Sequence, residues 1–321
     1  MNLEVECLPP KIMVVVGPTA SGKTKMAVEL ALRHNGEVVS ADSMQIYRTL
    51  DIGTAKPTAE EMQGVPHHML DVAEPDEDFS VARYVNMAAA CVDDILSRGR
   101  LPILAGGTGL YIDSLLSGRT FAAFSTESPL RGQLQQRAKE EGSGQLWQEL
   151  RGVDPEAAQR LHPNDEKRII RALEVWYQTG MTITEHNRIT QSIPPRYEAV
   201  TLGLAFEERE DMWKRIDTRV DEMMRQGLVE EVRSVLDRGI PASCTAMQAI
   251  GYKEMVQAVQ TGGDVLAAAE EVKLRSRQYA KRQLTWFRRN QHTHWHKWGK
   301  NPDIQDALRI STEYMREAGL V

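Results

Sequence analysis

The sequence predicts an α/β fold: a parallel sheet interleaved with helices and interrupted by an inserted α-helical lobe. Three observations predict it. Short β-branched runs alternate with segments of helical period over the first hundred residues. Three of those runs end in loops rich in Gly, Ser, Thr or Asp, where ligands bind beyond the carboxyl ends of parallel strands. Between two composition shifts, at residues 117–129 and 189–196, strand signals give way to polar helical sequence.

The first predicted strand is Ile12-Met13-Val14-Val15-Val16, a continuous apolar run of the kind buried in parallel sheets. It leads into Gly17-Pro18-Thr19-Ala20-Ser21-Gly22-Lys23-Thr24, which satisfies G-x-x-x-x-G-K-[ST], and a helix begins from Lys25. Strand, glycine loop and helix N-terminus together gather backbone N–H groups and a helix dipole around one anion. Lys23 adds a point charge, and the Thr24 hydroxyl can hold Mg²⁺ beside a diphosphate. A second strand at 37–41 ends at Asp42-Ser43, and a third at 101–105 ends at Gly106-Gly107-Thr108-Gly109, with a helix at 81–98 between them. Asp42 and Thr108 are therefore expected to converge on the phosphate loop. In the lobe Leu134, Leu146, Leu150, Leu161, Ile169 and Leu173 supply a thin core, and Pro194-Pro195 precedes a returning strand at 201–206. Helices follow at 211–225, 228–238 and 265–290. The predicted domains are a core of residues 1–118 and 199–321 and a helical insertion of residues 119–198.

Composition narrows the class. The chain has 321 residues, 41% hydrophobic and 26% charged, as ordinary soluble enzymes do. No apolar run reaches membrane-spanning length. The acidic N-terminus runs straight into the phosphate loop, so no cleavable leader is expected, and the reading is a cytoplasmic protein without membrane partners. Cys7, Cys91 and Cys244 are odd in number and widely spaced, which suggests neither a disulfide framework nor a zinc site. Neither His67-His68, adjacent on extended chain, nor the alternating His292, His294 and His296 is taken as a metal site.

Net charge is −6, yet residues 272–300 contain no Asp or Glu and carry Lys273, Arg275, Arg277, Lys281, Arg282, Arg288, Arg289, Lys297 and Lys300. Tyr279, Trp286, Phe287, Trp295 and Trp298 are interleaved. One basic, aromatic-rich stripe on an acidic protein is the footprint of a local polyanion site, the alternative being a solvated helix face with its aromatics in the core.

The phosphate loop alone leaves several chemistries open. No N/T-K-x-D guanine motif is present. A small-molecule phosphotransferase with Arg168 and Arg171 on a lid, and a nucleotide-dependent RNA-binding switch, both remain. Asp42 taken alone reads as a Mg²⁺-binding acid or as a general base. Arg215 and Arg219 share one helix face, where pairing with Asp211, Asp217 or Glu222 competes with a phosphate contact.

Further segments carry a resemblance. They are Asp42-Ser43-Met44-Gln45-Ile46-Tyr47, Asp51-Ile52-Gly53-Thr54-Ala55-Lys56-Pro57, Pro66-His67-His68-Met69-Leu70-Asp71, Gly106-Gly107-Thr108-Gly109-Leu110-Tyr111, His162-Pro163-Asn164-Asp165, Arg168 to Arg171 with Ala172-Leu173-Glu174, Ala249-Ile250-Gly251-Tyr252-Lys253-Glu254, and Lys281-Arg282-Gln283-Leu284-Thr285-Trp286-Phe287. From about residue 12 to residue 295 the chain resembles the bacterial tRNA dimethylallyltransferases. That resemblance implies a P-loop NTPase-like core with a helical insertion lobe. It implies transfer of a dimethylallyl group from dimethylallyl diphosphate to the exocyclic N6 amine of the adenosine 3′ of the anticodon, with release of diphosphate and with Mg²⁺ as cofactor. Residues 17–24 would hold the diphosphate, Thr24 the Mg²⁺, Asp42 the amine proton, and Arg219 the departing diphosphate. The tRNA anticodon stem-loop would meet Asp42, Ser43, Met44, Gln45, Thr108 and Arg131, then Lys167, Arg168, Ile169, Ile170 and Arg171. It would also meet Gln248, Ala249, Ile250, Gly251, Tyr252 and Lys253, then Lys281, Arg282, Gln283, Leu284, Thr285, Trp286, Phe287 and Arg288. Gln45 suits an adenine edge, because an amide offers one donor and one acceptor, whereas the isoleucines and Trp286 read as packing residues. A monomer is expected.

Overall fold

A computed structural model describes residues 8–118 and 129–321; Cys7 and most of the 117–129 composition shift lie outside the described residues. The chain divides into two compact units, Met1–Leu116 with Arg196–Val321, and Ser117–Pro195.

The first unit is built on six strands, β1 (Lys11–Val16), β2 (Gly36–Ser40), β3 (His67–His68), β4 (Leu101–Gly106), β5 (Glu198–Phe206) and β6 (His294–Trp298). Their order in the sheet is β3-β2-β4-β1-β5-β6, and every pairing is parallel. Parallel strands need crossovers, and the helices that supply them cover both faces, so β1, β2 and β4 are apolar along most of their length. One face packs Met26, Ala27, Leu30 and Ala31 of the Lys23–His34 helix, with Ala307, Leu308 and Met315 of the Ile304–Glu317 helix, against Met13, Val15, Leu202 and Leu204. A separate core joins Ile46, Tyr47 and Leu50, which follow β2, to Leu228, Val232, Tyr252 and Met255 on later helices.

Because β4 lies between β2 and β1, the carboxyl ends of these three strands are neighbours. The loops at 17–24, 42–45 and 106–109 therefore meet, as the strand pattern predicts. The Val265–Phe287 helix packs on these loops closely enough to require glycine there. A Cβ on Gly109 would lie 2.3 Å from the Trp286 indole, whose Nε1 donates to Asp113 at 2.9 Å. The start of β5 corrects one sequence boundary. Glu198 already pairs with Lys11, and Arg196 and Tyr197 bond Asp93 at 2.6 Å, so the strand begins three residues before 201.

The second unit is wholly helical among the described residues, with helices at Pro129–Glu141, Ser143–Val153, Pro155–Arg160, Glu166–Thr179 and Ile183–Gln191. Its core is thin, formed by Leu134, Leu146, Leu150, Ile169, Ile170 and Leu173 with several alanines. A buried carboxylate is the exception. Glu174 has no exposure, and an unpaired charge there would cost several kcal/mol. Arg131 at 2.6 Å and Arg171 at 3.0 Å neutralise it.

Candidate active site

The phosphate loop takes its shape from glycine and from distant chain. Gly22 adopts φ +87° as the last residue before the helix, a left-handed conformation that strains any side chain. Four side chains from later sequence hold the loop. Gln283 Oε1 accepts from Thr19 N–H at 2.8 Å, and Trp298 Nε1 donates to the Ser21 carbonyl at 2.8 Å. Arg215 Nε reaches the Ala20 carbonyl at 3.3 Å, and Arg219 Nη1 the Thr19 hydroxyl at 3.5 Å. Gln283 Nε2 donates to the Gly107 carbonyl at 3.0 Å, tying this loop to the one after β4.

Above the loop opens a cleft of about 830 Å³ whose wall includes Lys23, Thr24, Lys56, Arg215 and Arg219. The Lys23 ammonium donates to the Pro18 carbonyl at 2.7 Å. Its pKa is lowered to about 7, mainly because enclosure strips water from the charged form and secondarily because Arg219 stands close; the Asp42 charge acts in the opposite sense. Arg219 is also pushed down, by burial first, with Asp42 again opposing. Its two protein contacts, at 3.5 Å to Thr19 and 3.5 Å to the Ala55 carbonyl, are long, and it pairs with no carboxylate among the described residues. Asp217, one of its possible helix partners, instead pairs with Arg277 at 3.2 Å.

Asp42 sits at the end of β2 but not on the cleft wall. Oδ1 accepts from Met44 N–H at 2.8 Å and Gln45 N–H at 3.4 Å, while Oδ2 makes no hydrogen bond among the described residues. Beside it the Thr108 hydroxyl accepts from Ser43 N–H at 3.0 Å. The pKa of the Tyr279 hydroxyl is pushed up to about 12 by burial and then by the Asp42 charge, with Thr108 and Gln283 acting in the opposite sense. The site therefore gathers cations about an anion-shaped loop, with one carboxylate oxygen that makes no hydrogen bond among the described residues. The Thr24 hydroxyl also makes no hydrogen bond within the described residues. No cluster of three or more His, Cys, Asp or Glu able to hold a metal exists among them. This donor set fits Mg²⁺ only as a partner of diphosphate oxygens and water, in the usual manner of that ion.

Several predicted contacts turn out to have other work. Gln45 does not present its amide to a base: Oε1 accepts from Ser40 Oγ at 3.2 Å, and Nε2 donates to the Thr54 and Ala55 carbonyls at 3.3 and 3.1 Å. Gln283, 6% exposed, faces the loops and not solvent. Ile169, Ile170, Tyr252 and Phe287 are buried and pack the cores that carry their charged neighbours. Arg131 and Arg171 are bound to Glu174. The exposed cations are Lys167 and Arg168 in the helical unit, and Lys253, Lys281, Arg282 and Arg288 in the other. Arg288 caps the long helix and Arg289 follows it, stacked on Trp286 at 5.2 Å, so both lie at or past its end. The basic stripe is also partly neutralised, since Lys273 pairs with Asp221 at 2.6 Å and Arg277 with Asp217. Met44, Ala249, Ile250 and Leu284 are half-buried packing residues, Gln248 and Thr285 are exposed, and Gly251 lies beside the Gly53 carbonyl. His68 bonds Glu37 at 2.7 Å, and His294 stacks on Tyr314 at 4.1 Å.

Glu231 has no signal in the sequence. Its carboxylate accepts from Asp51, Ile52 and Gly53 N–H at 2.8, 2.8 and 3.1 Å, and from the Tyr252 hydroxyl at 2.6 Å, which fixes the turn carrying Ala55 and Lys56.

The Lys23 shift gives a test. Above about pH 7 the free protein holds this amine neutral, whereas a bound diphosphate favours the ammonium. Binding of inorganic pyrophosphate between pH 7.5 and 9 is therefore expected to take up about one proton and to weaken about tenfold per pH unit. Calorimetry in buffers of different ionisation enthalpy reads the proton directly. In the free protein the sign is reversed: the unfolded chain binds the extra proton between pH 7 and 10.5, so this group makes stability rise with pH across that window.

Comparison with known proteins bears on what such a site serves. A profile of the IPP transferase family matches residues 45–290. The chain is 47% identical over 279 residues to the tRNA dimethylallyltransferase of Thermoanaerobacter sp. (strain X514), covering 87% of this chain and 89% of that one. Among solved structures it resembles the full-length tRNA isopentenylpyrophosphate transferase of Bacillus halodurans, with a TM-score of 0.71 and 41% identity over 96% of this chain and 97% of that one. It also resembles a eukaryotic dimethylallyltransferase acting on tRNA, with a TM-score of 0.82 and 27% identity over 96% and 80% of the two chains.

Proposed function

This chain belongs to the IPP transferase family, and from that premise we propose that it transfers a dimethylallyl group from dimethylallyl diphosphate to tRNA. The acceptor is the exocyclic N6 amine of the adenosine 3′ of the anticodon. The observation that carries this reading is the meeting of an anion-binding loop with a strand-end carboxylate whose Oδ2 is free.

Two obstacles stand in the way of the reaction. The leaving group departs as a highly charged anion, and the amine is a weak nucleophile because its lone pair is delocalised into the ring. Residues 17–24, Lys23 and Arg219 answer the first by surrounding the diphosphate with N–H groups and cations as the allylic carbon–oxygen bond breaks. Asp42 Oδ2 answers the second by taking the amine proton as the nitrogen–carbon bond forms, while Oδ1 stays tied to Met44 N–H. Thr24 and the diphosphate would hold Mg²⁺, which supplies further charge neutralisation for the leaving group.

Mixing the protein with tRNA, Mg²⁺ and dimethylallyl diphosphate, then weighing the RNA, tests the whole reading. A gain of one dimethylallyl group is expected. ATP consumption without tRNA would point to a phosphotransferase, and RNA affinity without product to a binding switch.

The RNA surface has its own prediction. Lys281, Arg282, Arg288 and Arg289 are exposed and make no ion pair among the described residues. Phosphate contacts release counterions, so log K against log salt should flatten by about two units when Arg288 and Arg289 become glutamate. Pyrophosphate affinity measured without RNA should not change. Superimposable salt series for parent and double variant would remove this segment from the RNA site.

A further inference from the structure

We propose that Gln283 is a positioning residue that couples tRNA docking to the phosphate loop, and not a tRNA contact; the inference rests on the function proposed above. One helix carries both ends of the connection. Its solvent side holds Lys281 and Arg282, exposed and without ion pairs among the described residues, and the chain just past it holds Arg288 and Arg289. Its inner side holds Gln283, 6% exposed, whose amide is bonded at both ends to the substrate loops. Oε1 accepts from Thr19 N–H at 2.8 Å, and Nε2 donates to the Gly107 carbonyl at 3.0 Å. Thr108, next to Gly107, accepts from Ser43 N–H beside Asp42 and so carries the connection on to the third loop.

A single helix thus staples three strand-end loops: the one for the diphosphate, the one bearing the general base, and the one between them. Buried amides leave such a network only at the cost of an unsatisfied group, so the helix and the loop move together or not at all. RNA that fixes the outer face of the helix fixes Thr19 through Gln283, and orders the loop before diphosphate arrives. By reciprocity, diphosphate in the loop favours the helix position that binds RNA.

The experiment measures inorganic pyrophosphate affinity by calorimetry, with and without a saturating anticodon stem-loop RNA. The parent should bind pyrophosphate about tenfold more tightly in the presence of RNA, within the usual range of coupling between sites. Gln283→Leu should bind it equally in both conditions while keeping its RNA affinity, which a contact residue would lose. Gln283→Glu, nearly isosteric, keeps an acceptor for Thr19 N–H but sets a carboxylate against the Gly107 carbonyl, and should also lose the tenfold ratio. It serves where the leucine variant does not fold. Amide exchange in residues 19–24 of the parent should slow when RNA binds. A ratio of one in the parent, a ratio retained in either variant, or unchanged exchange overturns the coupling while leaving tRNA prenylation intact. A protein that binds no stem-loop RNA overturns both readings.

Discussion

Replacing Asp42 by alanine is expected to lower the single-turnover rate of dimethylallyl transfer by about two to four orders of magnitude, the usual worth of a positioned general base. The structure separates two losses in that number. Asp42 Oδ1 also holds the turn after β2 through Met44 N–H at 2.8 Å, so alanine removes the base and loosens the turn together. Asp42→Asn keeps an acceptor for Met44 N–H and removes only the base. The two variants should therefore fall to similar rates, with asparagine closer to the parent in thermal stability. Neither should lose pyrophosphate affinity. If asparagine retains a rate within threefold of the parent, Asp42 is not the base and its work is confined to the turn.

Arg219→Ala should lower the transfer rate by about two to three orders of magnitude, the scale found when one donor to a developing anion is removed. Its long contacts to Thr19 and Ala55 leave the guanidinium available for a stronger partner. Its absence should also raise the Lys23 pKa, because Arg219 is the cation that lowers it. The fall in pyrophosphate affinity with rising pH should then begin at higher pH in the variant, a readout that a packing defect would not produce. A variant that melts early but keeps the parent's rate per folded molecule would make Arg219 a structural residue.

What the sequence reveals and what it hides divides by distance along the chain. The phosphate loop, the strands at its flanks and the nearness of Asp42 to Thr108 are legible because each depends on local pattern and one topological rule. Gln45 and Gln283 were legible as positions and not as roles. The Gln45 amide is taken by the Ser40 hydroxyl and the Thr54 and Ala55 carbonyls of a nearby turn, and the Gln283 amide by backbone 264 and 176 residues away. The basic stripe misleads for a related reason, since Arg277, and Lys273 in addition to its own-helix partner Glu270, are neutralised by acids on the Arg209–Gln226 helix. Glu231 was invisible because capturing three N–H groups of another turn leaves no mark on its own neighbours.

The strand order also fixes when a nascent chain can begin to work. β1 is made before both of its neighbours, β4, beginning at Leu101, and β5, beginning at Glu198, with the helical unit translated between those two. Until β5 is made one edge of a largely apolar strand has no partner, and such edges recruit other chains. The last clamp on the phosphate loop comes later still, because the indole bonded to the Ser21 carbonyl is Trp298. Synthesis halted before that residue yields a chain with its signature motif complete and the Ser21 carbonyl without its clamp. The full set of clamps on the loop is complete only once Trp298 is made, although the motif itself is made long before.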